Sequence, residues 1–149
     1  MSAPGRYVIR AATHSDASPE AIMVAITSPG RRARWQPEIV SMEGPEPLKP
    51  GDEQEGQARM LGFRVEGKSR AVEVGPDLFE EDVLVGVRMR VTYEVRPDGD
   101  GARIDHVLEA DLPRGALGSL LSVLLRWRLK RMQRMSLDGL ARQAEEPSG

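Results

Sequence analysis

One folded domain is expected of a chain of 149 residues, and we predict a single unit over residues 1–149 with an ordered core from about residue 7 to residue 144. The chain has no cysteine, which excludes disulfides, thiolate metal sites and cysteine nucleophiles. It also lacks a long apolar run, so we expect a cytoplasmic location without signal peptide or transmembrane segment. The net charge of -2 is segregated, because residues 1–113 hold 14 basic and 20 acidic side chains whereas residues 114–149 hold 7 and 3.

A strand followed by a short helix opens the chain. Residues 7–13 predict a strand, because a period of two places Tyr7, Ile9 and Ala11 on one face. Val8, Arg10 and Ala12 then lie on the other face. Ser18 is a suitable N-cap, Pro19 fits the first helical position and Glu20 complements the positive end of the helix dipole. The helix should end near Ser28, because a proline follows and disfavours helical geometry in the residue before it.

An antiparallel meander of about six strands is predicted between Ile39 and about Leu112, where strand-length runs alternate with turn signals. Its clearest hairpin is closed by a DGDG turn at residues 98–101. One face of that hairpin is apolar and should face inward: Val87, Met89, Val91, Tyr93, Val95, Ile104, His106, Leu108, Ala110 and Leu112. The opposite face carries charges of both signs and should be exposed to solvent.

A long amphipathic helix is predicted from about Ala116 to Ala144. We expect it to cover the sheet with an apolar side made of Leu117, Leu121, Leu124, Leu125, Leu129, Met132, Met135 and Leu140. The cations Arg126, Lys130 and Arg134 recur every four positions beside Trp127, which indicates an exposed basic stripe.

The order of these elements resembles the START-like helix-grip (SRPBCC) superfamily, and within it the polyketide cyclase/dehydrase and lipid-transport branch. The resemblance rests on the strand, the helix entered through Ala17-Ser18-Pro19-Glu20, the Trp35-x-Pro37 segment, the meander and the long terminal helix. Met23 and Ser15 depart from the commonest residues of the family. The resemblance implies an α+β fold: a curved antiparallel sheet of about six to seven strands wrapped around a long C-terminal helix, with one or two short helices after the first strand. It also implies a cavity between sheet and helix for an apolar ligand.

Arg128 is a candidate ligand-binding residue, because a helical wheel places it between Leu124 and Met132 within the apolar stripe. It could bind a carboxylate, phosphate or enolate oxygen inside the cavity. The alternative is an arginine that reaches solvent or pairs with an inward acid.

His106 and Tyr93 form a second candidate pair, because the DGDG turn sets them opposite each other on the apolar face of the hairpin. They could orient a ligand carbonyl or exchange a proton with an enolisable substrate. The alternative is a histidine and a tyrosine that only pack in the core.

Other candidate cavity residues follow from size and placement. The family resemblance places Trp35 at an entrance loop, where it could cap a ligand. The further candidates for an adaptable lining are Met60, Phe63, Met89, Leu124 and Met132. Two histidines 92 residues apart make a poor metal site. We therefore expect no metal and, in the absence of a phosphate-binding glycine loop, no cofactor.

Three functions stay open at this level. The first is a non-enzymatic binder or carrier of a small lipid- or polyketide-like molecule that uses Arg128, Tyr93 and His106 as polar contacts. The second is a polyketide aromatase/cyclase or dehydrase with the same three residues as catalytic candidates. The third is a stress-response or interaction protein acting through the basic C-terminal helix. We expect a monomer or homodimer that does not bind nucleic acid and for which peripheral membrane contact stays open.

Overall fold

The computed structural model describes residues 6–60, 62–112 and 115–146, with side chains for all of these except residue 60 and residues 115–119. Seven strands form one antiparallel sheet in the order β1-β7-β6-β5-β4-β3-β2. Their bounds are β1 Arg6–Ser15, β2 Ile39–Glu43, β3 Glu53–Met60, β4 Phe63–Val74, β5 Leu78–Leu84, β6 Arg88–Asp98 and β7 Gly101–Asp111. The predicted six-stranded meander and the separate first strand are thus confirmed.

Three helices pack on the concave side of the sheet: α1 Pro19–Thr27, the single turn α2 Arg32–Trp35 and α3 Gly115–Glu145, with a 3₁₀ turn at Pro29–Arg31. The predicted start of α1 is confirmed, because the Ser18 hydroxyl accepts a hydrogen bond from the Ala21 amide at 3.1 Å. The seven-stranded sheet, the two short helices and the 31-residue α3 together make the helix-grip fold.

The sheet bends over α3 with the help of two register shifts. One lies in β2 between Ile39 and Ser41 and the other in β4 between Ala71 and Glu73. An extra residue in one strand bends that strand and increases its twist. The bends enclose the space between the sheet, α2 and α3.

The hairpin of β6 and β7 has the register that the sequence predicts. Tyr93 lies opposite His106, and Val91 lies opposite Leu108. Asp98 pairs with Gly101, so the turn itself has only two residues, and Gly99 adopts a φ of 62° as a tight hairpin turn requires. The outward side carries the expected ion pairs, for example Arg96 with Asp105 at 2.9 Å.

The predicted inward side of α3 is correct for Leu125, Leu129, Met132 and Leu140, which are buried, and wrong for three others. Leu121, Leu124 and Met135 are exposed to solvent. The buried side instead includes three polar residues: Ser122, Gln133 and Ser136. The buried side of α3 is therefore rotated around the helix axis from the predicted apolar side, by an angle on the order of the roughly 100° between successive residues. Leu117 lies outside the described side chains.

Three close contacts near its C-terminal end set this orientation of α3. Gly139 lies against the backbone of Trp35, where a β-carbon would meet the Trp35 carbonyl oxygen. Ser15 donates a hydrogen bond to the carbonyl of Ala141 at 2.8 Å, and Glu145 accepts one from the Asp16 amide at 3.0 Å. Ser15, a departure from the family pattern, thus ties the end of β1 to α3.

We expect Gly139→Ala to lower the free energy of unfolding by about 1–2 kcal/mol. Alanine favours a helix by about 1 kcal/mol over glycine, but overpacking against an unyielding backbone outweighs that gain. Gly67→Ala is the matched control, because a β-carbon there would make only ordinary contacts of 3.6–3.9 Å with Val85 and Ala58. Denaturant unfolding measures both variants. A Gly139→Ala protein as stable as the wild type would contradict the close contact with Trp35.

Candidate functional site

A small cavity of about 50 Å³ lies between the concave face of the sheet and the helices α2 and α3. Its apolar wall comes from strands β2, β3, β5, β6 and β7, from Val85 after β5 and from Met132 of α3. Its polar lining includes Arg32, Glu81, Tyr93, His106, Gln133 and Ser136. A cavity of this volume holds only a few water molecules, since one that binds benzene measures about 150 Å³. A larger ligand therefore requires the lining to move.

A buried ion pair occupies one side of the cavity. Arg32 of α2 donates to Glu81 of β5 at 2.6 Å, and both side chains are almost completely buried. Glu81 also accepts from Ser69, and Arg32 donates to Gln36 at 3.1 Å. Burial by itself would lower the pKa of Arg32, but Glu81 and Tyr93 outweigh it, so the pKa is raised and the guanidinium stays charged.

Aromatic rings surround this ion pair. The guanidinium carbon of Arg32 lies 5.1 Å from the ring centre of Trp35 and 5.6 Å from that of Phe79. Tyr93 contacts Trp35 edge to face at 6.1 Å between ring centres. Burial raises the pKa of the Tyr93 phenol, against the opposing effect of Arg32, so this hydroxyl is protonated at neutral pH.

His106 is neutral and its proton can be placed. The Gln133 amide nitrogen donates to the Ile9 carbonyl at 3.2 Å, which fixes the amide orientation because a carbonyl can only accept. The same nitrogen lies 2.9 Å from Nδ1 of His106, so Nδ1 accepts and the ring proton is on Nε2. Burial, aided by the charge of Arg32, lowers the pKa of His106 to about 3.

Two buried polar atoms of the cavity residues make no hydrogen bond within the described part of the chain. They are Nε of Arg32 and the hydroxyl oxygen of Ser136. An unpaired buried polar group costs about 1–3 kcal/mol, so native proteins rarely keep one without a reason. Both atoms belong to residues that a cavity occupant would contact.

Some of the sequence-predicted site residues line the cavity and others do not. His106, Tyr93, Met89 and Met132 belong to the lining. Trp35 is not part of it, because Trp35 is buried behind Tyr93 with its indole nitrogen donating to the Ala25 carbonyl at 3.2 Å.

Arg128 is also absent from the lining. It donates to Glu38 at 2.8 Å, which is the pairing with an acid that the sequence left open. Phe63 is 73% exposed and Leu124 is 48% exposed, so neither reaches the cavity. The side chain of Met60 lies outside the described part of the chain.

Sequence reasoning missed Arg32, Glu81, Gln133 and Ser136. Glu81 could have been predicted from the sequence, because the period of two through Phe79, Glu81 and Val83 places an acid on the inward face of β5. Arg32 lies in a run of three arginines, and nothing in the sequence distinguishes the buried one from its exposed neighbour Arg34. Gln133 and Ser136 required the orientation of α3, which an apolar pattern alone does not give.

Residues 7–145 match the family model described as polyketide cyclase/dehydrase and lipid transport. This protein belongs to that family. No protein with a curated description matches the sequence.

Solved structures of the same fold include TTHA0849 of Thermus thermophilus and the Zhui aromatase/cyclase of Streptomyces sp. R1128. The first has 19% identity and a TM-score of 0.81 over 96% of this chain and 100% of that chain. The second has 12% identity and a TM-score of 0.82 over 94% of both chains. At these identities the likeness concerns the fold alone.

The described residues contain no group of three histidine, cysteine or acidic side chains that could hold a metal ion. Within the same ranges, no helix is both long and apolar enough to cross a bilayer.

We expect the buried His106 to make the protein lose stability as the pH falls from about 6.5 toward 3. The unfolded chain binds a proton at a pKa near 6.5 and the folded one only near 3, so acid favours the unfolded state in that window. The loss approaches about 1.4 kcal/mol per pH unit. Denaturant unfolding at pH 7, 6 and 5 should show it for the wild type and show much less for His106→Gln. His14→Gln is the control, because His14 is exposed and its replacement should leave the acid-induced loss of stability unchanged. If the unfolding free energies of the wild type and of His106→Gln fell equally with pH, a neutral buried His106 would be contradicted.

Proposed function

We propose that this protein binds a small apolar molecule carrying one uncharged polar group, and that it acts as a binder or carrier. This proposal is supported by two buried atoms, Nε of Arg32 and Oγ of Ser136, that have no hydrogen-bond partner among the described residues. Both residues line a largely apolar cavity. A ligand oxygen that accepts a hydrogen bond from either atom removes a penalty of about 1–3 kcal/mol. The apolar wall accommodates the rest of the ligand.

The charge balance of the cavity argues for an uncharged polar group. The charge of Arg32 is already matched by Glu81 at 2.6 Å, and His106 and Tyr93 are neutral. In the buried part of the cavity a carboxylate would lose its hydration without gaining an unmatched cation, because the other two lining cations, Arg59 and Lys68, are exposed to solvent. A ketone, ester, amide or phenol has a much smaller cost of desolvation. These groups are the chemistry that the site favours.

Ligand entry requires the cavity to expand from about 50 Å³ toward the roughly 300 Å³ of a small ligand pocket. Three methionines of the lining, Met42, Met89 and Met132, have flexible unbranched side chains that can rearrange around different shapes. The ion pair of Arg128 with Glu38 connects α3 to the segment before β2, and Glu38 also lines the cavity. This pair lies where separation of α3 from the sheet edge would open the site.

Catalysis by proton transfer is the weaker candidate because of the same pKa shifts. A general base works best with a pKa near the working pH, whereas burial lowers the pKa of His106 to about 3. Burial raises the pKa of Tyr93, which makes its phenol a weaker acid. Both groups are therefore suited to donate or accept hydrogen bonds, and poorly suited to move protons at neutral pH.

A polyketide aromatase/cyclase or dehydrase is the second candidate, favoured by family membership and by the opposed Tyr93 and His106, whose ring centres are 4.7 Å apart. Conversion of a poly-β-ketone thioester mimic to a cyclised product, lost in His106→Gln, would establish this activity in place of simple binding. Unchanged substrate recovered from the bound fraction supports the carrier.

We expect 2-acetonaphthone to bind more tightly than 2-isopropenylnaphthalene, in which a CH2 group replaces the carbonyl oxygen, and we expect 2-naphthoate to bind more weakly than both. The ketone oxygen can accept a hydrogen bond from Arg32 or Ser136, whereas the hydrocarbon cannot accept one. The carboxylate must lose its hydration to enter the cavity. Isothermal titration or displacement of a fluorescent naphthalene probe measures the order. Preference for 2-naphthoate would contradict the uncharged polar group, and no binding of any member would contradict the apolar cavity as a ligand site.

Ser136→Ala tests the polar contact directly. Loss of one hydrogen bond of about 0.5–1.5 kcal/mol weakens binding of the ketone roughly threefold to tenfold and leaves the hydrocarbon unaffected. Ser122→Ala is the matched control, because Ser122 is a buried serine of the same helix that does not line the cavity. Equal affinities of Ser136→Ala and wild type for the ketone would remove Ser136 from the site.

A further inference from the structure

The outer side of α3 carries an apolar patch in its first described half. Five of the eight residues from Leu120 to Trp127 are large apolar side chains exposed to solvent. They are Leu120, Leu121, Val123, Leu124 and Trp127, and we call them the α3 apolar patch. Leu120 is 74% exposed and Trp127 is 58% exposed. Exposed apolar side chains are common singly, but a contiguous group on one helix marks an interaction surface.

Cations adjoin this patch along the same helix. The four exposed ones, which we call the basic flank, are Arg126, Lys130, Arg131 and Arg134. Arg131 lies over the ring of Trp127 at 5.7 Å, so the patch and the flank are in direct contact. No acidic residue occurs between Leu120 and Leu137. The surface is therefore apolar and positively charged, with no acid in this stretch of the helix to neutralise it.

We propose that this outer side of α3 binds the surface of an anionic lipid bilayer. Helices that lie in a membrane interface combine apolar side chains and tryptophan on the side that enters the bilayer with lysine and arginine that contact lipid phosphates. Leu120, Leu124, Trp127 and Arg131 recur at helical spacing and lie on one side of α3. A helix side that carries both kinds of side chain suits the plane of a bilayer surface, where acyl chains and phosphates lie at neighbouring depths.

A second copy of the chain fits this surface less well. A two-fold contact places the same patch on both sides, so it brings two copies of the basic flank toward each other without acids between them. RNA fits less well too, because phosphates and bases give no partner for exposed leucine and valine. An anionic bilayer satisfies both features, since acyl chains accept the apolar side chains and headgroups accept the cations.

The surface is distinct from the cavity. Residues of α3 that line the cavity, such as Met132, Gln133 and Ser136, are buried on the opposite side of the helix. Membrane binding thus involves side chains that the proposed ligand site does not use, and the two properties can fail separately.

Flotation of the full chain with phosphatidylcholine vesicles, with and without phosphatidylglycerol, tests the proposal. We expect association only with the anionic vesicles, and we expect rising sodium chloride to weaken it. The double variant Lys130→Gln with Arg134→Gln should bind roughly 25-fold more weakly, because each cation near an anionic surface contributes about a fivefold factor. The matched control replaces Arg10 and Arg64, exposed cations of the sheet, by Gln and should bind as the wild type does.

A second set of variants tests how much the α3 apolar patch contributes to vesicle binding. Leu120→Ser with Val123→Ser removes two strongly exposed side chains and should weaken binding at least roughly tenfold. Val24→Ser with Phe63→Ser removes two exposed apolar side chains from other surfaces and should have no effect. Trp127 is the exposed member of the two tryptophans, so its emission should shift to the blue on binding, and Trp127→Phe should abolish the shift but keep most of the binding.

Three results would overturn the proposal. The first is equal binding to neutral and anionic vesicles, or to neither. The second is a dimer in sedimentation velocity that Leu120→Ser with Val123→Ser converts to a monomer, which would assign the patch to a second copy. The third is tighter binding to single-stranded RNA than to anionic vesicles, with the serine variants unaffected.

Discussion

The buried ion pair between Arg32 and Glu81 is the constraint on which the interior of this protein depends. Each charge alone would cost several kcal/mol to bury, and removal of one partner from such a pair typically costs about 3–5 kcal/mol. Arg32 belongs to the short helix α2 and Glu81 to the central strand β5. Their 2.6 Å contact therefore fixes α2 over the middle of the sheet. The remaining gap between α2, α3 and the sheet is the cavity.

The same ion pair sets the chemistry of its neighbours. Arg32 and Glu81 leave no unpaired charge in the buried part of the cavity, yet the proximity of Arg32 still helps to hold His106 neutral and opposes the rise in the pKa of Tyr93. The result is an interior rich in hydrogen-bonding groups and poor in groups that titrate near neutral pH. Such an interior favours hydrogen bonding to polar groups over proton transfer at neutral pH, in line with the binder proposed above.

Local rules in the sequence were sufficient for the fold but not for the site. The Tyr93–His106 register follows from a two-residue turn and a period of two, both readable from residues near each other in the chain. Arg32 and Glu81 are 49 positions apart, and only the assembled fold shows that they meet. The orientation of α3 depends on a glycine packed against the Trp35 backbone, which no apolar pattern encodes. The sequence therefore did not predict the two features that depend on tertiary contacts, namely the Arg32–Glu81 pair and the orientation of α3.

The difference between the predicted and the observed orientation of α3 bears on the role of this helix. A helix whose only task is to cover a sheet should bury its apolar side completely, and the apolar pattern predicts that it does. The helix instead buries Gln133 and Ser136 and exposes Leu121, Leu124 and Met135. Both departures lower the stability of the fold. The buried polar groups lose their hydration, and the exposed apolar side chains stay in contact with water. The proposed ligand would contact the polar inner side and the proposed membrane surface would contact the apolar outer side, and these two contacts together would offset both costs.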